Sequence, residues 1–246
     1  MPQVVIGSDA ELLPPEYVAE VRARAEKLVT EDNTPVDNIY SEKQMRLLTE
    51  PLYASWGGPA SKTGQPRKFL AVANVGIFYA LNQPPVVPDV MLSLDIEPAE
   101  QWEKFQKSFF MWEFGKAPEI AIEIVSNREG NKDGSKMDLY ARIAVGYYVI
   151  YDPLLYLKAE PLRIYELSGK HYVRRESAYF DELGLGLMQW EGESSGWHST
   201  WLRWTDREGN LLPSSQEQAA RADQEAEKAS RLAAKLRELG IDPDTV

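Results

Sequence analysis

Two short apolar runs, Ile120-Ala121-Ile122-Glu123-Ile124-Val125 and Tyr147-Tyr148-Val149-Ile150-Tyr151-Asp152, flank a segment of helical character from Ser135 to Ala144. A strand, a helix and a strand in that order form a crossover unit. Such units are right-handed and make their two strands parallel neighbours in one sheet. This chain is therefore expected to build an α/β core around the Glu123 and Tyr148 strands.

The first of these strands carries an anomaly. Side chains alternate faces along a strand, so Ile120, Ile122 and Ile124 share one side while Ala121, Glu123 and Val125 share the other. Glu123 thus points among small or apolar neighbours. An ionised carboxylate taken out of water without a partner costs several kcal/mol, so such a residue calls for a cation or a hydrogen-bond donor. Pro88-Asp89-Val90 upstream supplies a second acid and Lys136 downstream supplies a cation. Two acids and a lysine are the side chains that metal-assisted phosphodiester chemistry uses. A hard divalent ion takes one or two carboxylates and completes its shell with water and phosphate oxygen.

Composition narrows the setting. With no cysteine in 246 residues there can be no disulfide and no thiolate zinc site. The longest apolar stretch, Phe69 to Leu81, includes Asn74 and Gly76 and is too short to span a bilayer. The N-terminus has neither a basic leader nor a long apolar run, so no secretory signal is expected and the default location is cytoplasmic. A net charge of −11 argues against a generic nucleic-acid coat, which neutralises phosphates with clustered lysine and arginine. A nuclease needs only one local basic face. Lys62, Arg67 and Lys68, or Lys132, Lys136 and Arg142, could form it; scattered solvated charges are the plain alternative.

Along the chain, Pro14-Pro15 opens a predicted helix running through Val29. Ser41 and Gln44 read as a capping box for a second helix that Pro51 should kink or end. Trp56 to Pro66 reads as a loop, and strands are expected over Phe69–Val75, Ile77–Leu81 and Val86–Leu94. Asp95 to Lys107 is polar with some helical character, Asn127 to Gly134 is a loop, and Asp152 before Pro153 should order a turn. Residues 160–212 read as a β-rich extension, with Ser168-Gly169-Lys170 as a hairpin turn. His171 and His198 there stand apart and are poor evidence for a zinc site or a general base. From Ser215 to Leu239 the chain becomes rich in Ala, Glu, Lys and Arg, and Ala222, Ala226, Ala229, Leu232, Leu236 and Leu239 recur every three or four residues. That is a helix of several turns, suited to a coiled coil or left solvated. Three parts are expected: an arm and helix (1–35), a core with its β extension (36–212) and a helical tail (213–246).

Four ordered blocks resemble a known family. Val87-Pro88-Asp89-Val90, Ile120 to Ser126, Lys136 to Tyr140 and Gly146 to Pro153 are similar to the proposed endonucleases of the Uma-two type, once catalogued as a domain of unknown function. That family lies within the restriction-endonuclease-like PD-(D/E)XK superfamily, and the resemblance spans roughly residues 35 to 190. It implies a central mixed sheet flanked by helices, dependence on Mg²⁺ or Mn²⁺ and a nucleic-acid substrate. DNA is the substrate expected, and nothing in the residues distinguishes it from RNA. Asp89 and Glu123 would be the metal ligands, with Lys136 as the catalytic cation. The superfamily usually has a lysine two positions after the strand acid; here that position is Val125, and the resemblance puts the lysine on the following helix, at Lys136. An acid on the first core helix is a further ligand in the superfamily. Glu42 could fill that role, or could only favour the helix dipole. Tyr140 and Tyr148 read as packing residues. The competing reading is a scaffold that keeps the nuclease fold and binds a partner through its tail; a homodimer is suggested by that tail and by the geometry of double-strand cutting.

Overall fold

The computed structural model describes residues 19–21, 23–24, 38–61, 64–96, 107–126, 134–238 and 242. Most of the predicted Pro14–Val29 helix, the Asn127–Gly134 loop up to residue 133, residues 97–106 of the Asp95–Lys107 segment, Lys62, Lys132 and Leu239 lie outside them. The core and tail contain the helices α1 (Ile39–Pro51), α2 (Met111–Phe114), α3 (Ser135–Arg142) and α4 (Ser215–Glu238). The principal sheet has six strands in the order β1 (Phe69–Ala73), β3 (Val90–Leu94), β5 (Ile120–Ile124), β6 (Tyr147–Tyr151), β7 (Leu162–Ser168) and β8 (His171–Arg175). β5 and β6 run parallel, with α3 in the crossover, and every other pairing in this sheet is antiparallel. The mixed α/β architecture of the restriction-endonuclease-like type is the one the sequence calls for.

β3, β5 and β6 are buried along their whole length, as central strands covered on both faces must be. Ile120, Ile122 and Ile124 pack with Met45, Leu48 and Leu52, which form the apolar side of α1 and the turn after it. On the other face Ala121 and Val125 pack with Tyr140 of α3 and with Tyr148 and Ile150 of β6. Leu48 and Leu52 are fully buried; each such side chain contributes roughly 1.5–3 kcal/mol relative to an exposed one.

Local details depart from the sequence reading in instructive ways. The cap of α1 is Asn38, whose Oδ1 accepts from the Ser41 N–H at 2.9 Å, so Ser41 lies inside the helix and is buried. Gln44 is turned instead toward β11 (Trp197–Thr205): its amide donates to the Leu202 carbonyl at 2.8 Å and accepts from the Leu202 N–H at 2.9 Å. Pro51 ends α1, and a π-helical turn follows over Leu52–Trp56 and stops at Gly57, whose φ of 70° suits glycine. β2 (Ile77–Phe78) is shorter than expected and pairs in parallel with β4 (Phe109–Phe110), outside the principal sheet. β3 starts only at Val90, because Pro88 has no N–H to give a ladder; Val86 touches Ile77 in an isolated bridge.

The region 160–212 divides in two. β7 and β8, joined by a tight turn at Gly169, complete the principal sheet and are no extension of it. β9 (Tyr179–Phe180), β10 (Leu185–Ser194) and β11 form a separate antiparallel sheet in the order β11-β10-β9. Its apolar residues Phe180, Leu185, Leu202 and Trp204 share one core cluster with the isoleucines of β5. The outer edge of β11 is occupied by side chains and loop. Thr200 O accepts from the Tyr40 and Tyr151 hydroxyls, Leu202 is bonded twice to Gln44, and Trp204 O accepts from the Leu212 N–H. None of the described helices is long and apolar enough to cross a membrane.

Candidate active site

The ladder between β3 and β5 ends at the Val90–Ile122 pair. One residue before β3, the chain swings away and the carboxylate of Asp89 takes over as acceptor: the Ile124 N–H donates to its Oδ2 at 2.5 Å. The Asp89 carbonyl is held from the other side by the N–H of Asn74, a residue at φ 53°, where asparagine is tolerated. Asp89 therefore stands beside the carboxyl end of β5, where Glu123 is the neighbouring residue.

Glu123 is completely buried. Lys136, in the first turn of α3, donates to both of its oxygens at 2.8 and 2.9 Å and to the Val87 carbonyl at 3.0 Å. One helical turn further on, the Tyr140 hydroxyl donates to Glu123 Oε1 at 2.8 Å. A cation at a helix N-terminus is disfavoured by the macrodipole, and these three acceptors supply the compensation. Burial pushes the Tyr140 phenol well above its ordinary range, and the negative charges of Glu123 and Asp89 push the same way. Both carboxylates thus act on one hydroxyl, which remains a donor at all physiological pH.

Asp89, Glu123 and Lys136 are brought together at one end of the sheet. Glu42 is not with them: it lies on α1, packed against the opposite face, and pairs with Arg46 one turn along on an exposed surface. Among the described residues, no three His, Cys, Asp or Glu side chains converge as a metal cluster. Val125, in the usual lysine position, is buried in the cluster that includes Tyr140. Of the basic candidates, Arg67 is engaged by Asp95 through two bonds, which also hold the Asp95 carboxyl below its ordinary range. His171 and His198 are exposed on β8 and β11.

Tyr140 is the member of the constellation that the sequence presents as a packing residue alone. It does pack, against Tyr148 at a ring-centroid distance of 5.2 Å. The signal that finds its second role is its place four residues after Lys136, on the same face of α3.

A central mixed sheet of six strands flanked by helices is the outline of a restriction-endonuclease-like protein. Consistent with that outline, residues 35–189 match the family model Uma2, described as "Putative restriction endonuclease", and the chain belongs to this family. No curated protein matches the chain.

Proposed function

We propose that this protein is a divalent-metal-dependent endonuclease that hydrolyses phosphodiester bonds in DNA. The observation that carries the reading is the convergence of Asp89, Glu123 and Lys136 on the carboxyl end of β5. The donor set, hard carboxylate oxygens from two adjacent chain segments, fits Mg²⁺ or Mn²⁺. Asp89 and Glu123 would hold the ion. A bound divalent ion supplies an acidified water and neutralises charge on the phosphate.

The chain's own residues do the rest. The Ile124 N–H fixes the Asp89 carboxylate, and the Tyr140 hydroxyl fixes Glu123 Oε1, so neither acid has to reorganise when a ligand arrives. Lys136 offsets the charge of Glu123 and provides the positive charge that favours an anionic phosphate at this end of the sheet. Membership of an endonuclease family supports a nucleic-acid substrate.

One observation favours a second reading, a catalytically retired scaffold. Both oxygens of Glu123 are already bonded, as in a closed structural ion pair. The test is titration calorimetry of Mg²⁺ and Mn²⁺ into wild type, Asp89→Ala and Glu123→Ala, followed by the same proteins on supercoiled plasmid and on RNA. Metal-dependent nicking by the wild type that is abolished in both variants, with circular dichroism unchanged, supports the nuclease. A wild type inert on both nucleic acids with either metal supports the scaffold.

A further inference from the structure

α4 leaves the second sheet as an anchored rod. Ser214 and Glu217 form a reciprocal capping box, the Ser214 N–H donating to Glu217 Oε2 at 2.7 Å and the Glu217 N–H donating to Ser214 Oγ at 3.2 Å. Arg203, nearly wholly buried, clamps the same carboxylate with two bonds of 2.8 and 2.7 Å. Gln218 adds a bond to the Ala54 carbonyl. Beyond this base the helix has no buried residue, and Leu232 is 66% exposed.

The exposed part carries an apolar seam and a charge gradient. Ala219, Ala222, Ala226, Ala229, Ala233 and Leu236 recur at alternating spacings of three and four, the repeat of a coiled-coil face. From residue 215 to 227 there are four acids and one base; from 228 to 238 there are four bases and one acid. The helix dipole does not account for this. Its influence falls off within the terminal turns, whereas Asp223, Glu225, Glu227, Lys228 and Arg231 lie in the interior of the helix.

We infer that α4 is a self-association surface whose occupant is the α4 of a second copy of this chain, packed antiparallel. In that orientation the acidic half of each helix meets the basic half of the other, and by two-fold symmetry the favourable pairing occurs twice. A parallel pair would place acid against acid and base against base. Centring the two-fold between Ala226 and Ala229 stacks these alanines on each other across the seam and brings Ala219 of each copy level with Leu236 of the other. Alanine at the contact allows the axes to approach to about 8 Å, the close end of the helix-packing range. A 24-residue helix is roughly 36 Å long, so the two cores would sit at opposite ends of the shared rod. This inference does not rest on the nuclease reading.

The test is sedimentation equilibrium of the full chain, followed by charge exchange and cross-linking. Wild type is expected to be a dimer that dissociates on deletion of residues 215–246. Reversing the basic half (Lys228→Glu, Arg231→Glu, Lys235→Glu, Arg237→Glu) should give a monomer. Adding Asp223→Lys, Glu225→Lys and Glu227→Lys should restore the dimer. The chain has no cysteine, so orientation can be read directly: Ala219→Cys mixed with Leu236→Cys should form a mixed disulfide, with neither variant linking to itself. A monomeric wild type, a dimer that survives tail deletion, or self-linked Ala219→Cys would each overturn the inference.

Discussion

Two buried acids four residues apart on one segment answer to different demands. Glu119, the residue before β5, is 9% exposed and accepts from the Leu94 N–H at 2.8 Å, from Ser93 Oγ at 3.3 Å and from Lys116. Lys116 reaches across from three residues earlier and also donates to the Leu94 carbonyl. These bonds splice the start of β5 onto the end of β3. Glu123, inside the strand, is gripped by two side chains of α3, and the acid beside it across the strands is Asp89. Burial alone therefore does not mark a site. What separates the two acids is what holds them: Glu119 is tied to the backbone of the neighbouring strand and to Lys116, whereas Glu123 is held by the Lys136 and Tyr140 side chains of α3.

The largest effect that could break this contrast is on activity. Under the proposed function, Glu123→Ala should abolish metal-dependent plasmid nicking, whereas Glu119→Ala, assayed per folded molecule, should retain it. Equal loss in both would erase the distinction. Stability should respond at Glu119 even where activity does not. Glu119→Ala leaves the Leu94 N–H and the Lys116 ammonium without their carboxylate, at a cost of roughly 1–3 kcal/mol, measurable as a lower urea midpoint with unchanged slope. Tyr140→Phe removes the hydroxyl bond to Glu123; a loss of about 1 kcal/mol is expected, with nicking reduced but present.

The smallest effect is expected at Glu217, a half-exposed acid that serves as a third point of reference. Burial raises its carboxyl, but Arg203 and the Ser214 N–H outweigh that and hold it below the ordinary carboxylate range. A depressed folded value means that the pairing stabilises fully above the ordinary value near 4.5 and is lost as pH falls through the depressed one. An acid titration followed by hydrogen exchange should show the first turn of α4 loosening in that window, with no such step in Glu217→Gln.

Much of this architecture is legible in the residues. The period-two run around Glu123 and the helix between it and Tyr148 specify the parallel β5–β6 pair, whereas the strand read over Val86–Leu94 forms only from Val90, past the proline that has no N–H for a ladder. Where structure and local pattern part, tertiary contacts outbid the pattern. Ser41 and Gln44 have the spacing of a capping box, but Gln44 is spent on Leu202, 158 residues away, a demand no local window contains. The box that does form, between Ser214 and Glu217 at the head of the tail, has the same spacing and no such competitor for its acid. Arg203 instead reinforces it. Tyr140 is hidden from the sequence for a related reason: an aromatic on a buried helix face satisfies the packing account without calling for another.

The bonded outer edge of β11 has a consequence for the behaviour of this protein in a crowded solution. A bare edge strand is a template on which any extended chain can add itself, the first step toward amyloid-like stacking. Here the amide of Gln44 imitates a neighbouring peptide group, presenting one donor and one acceptor to Leu202, while two tyrosine hydroxyls donate to the Thr200 carbonyl. The strand is closed by counterfeit backbone, and strand addition along this edge is forestalled.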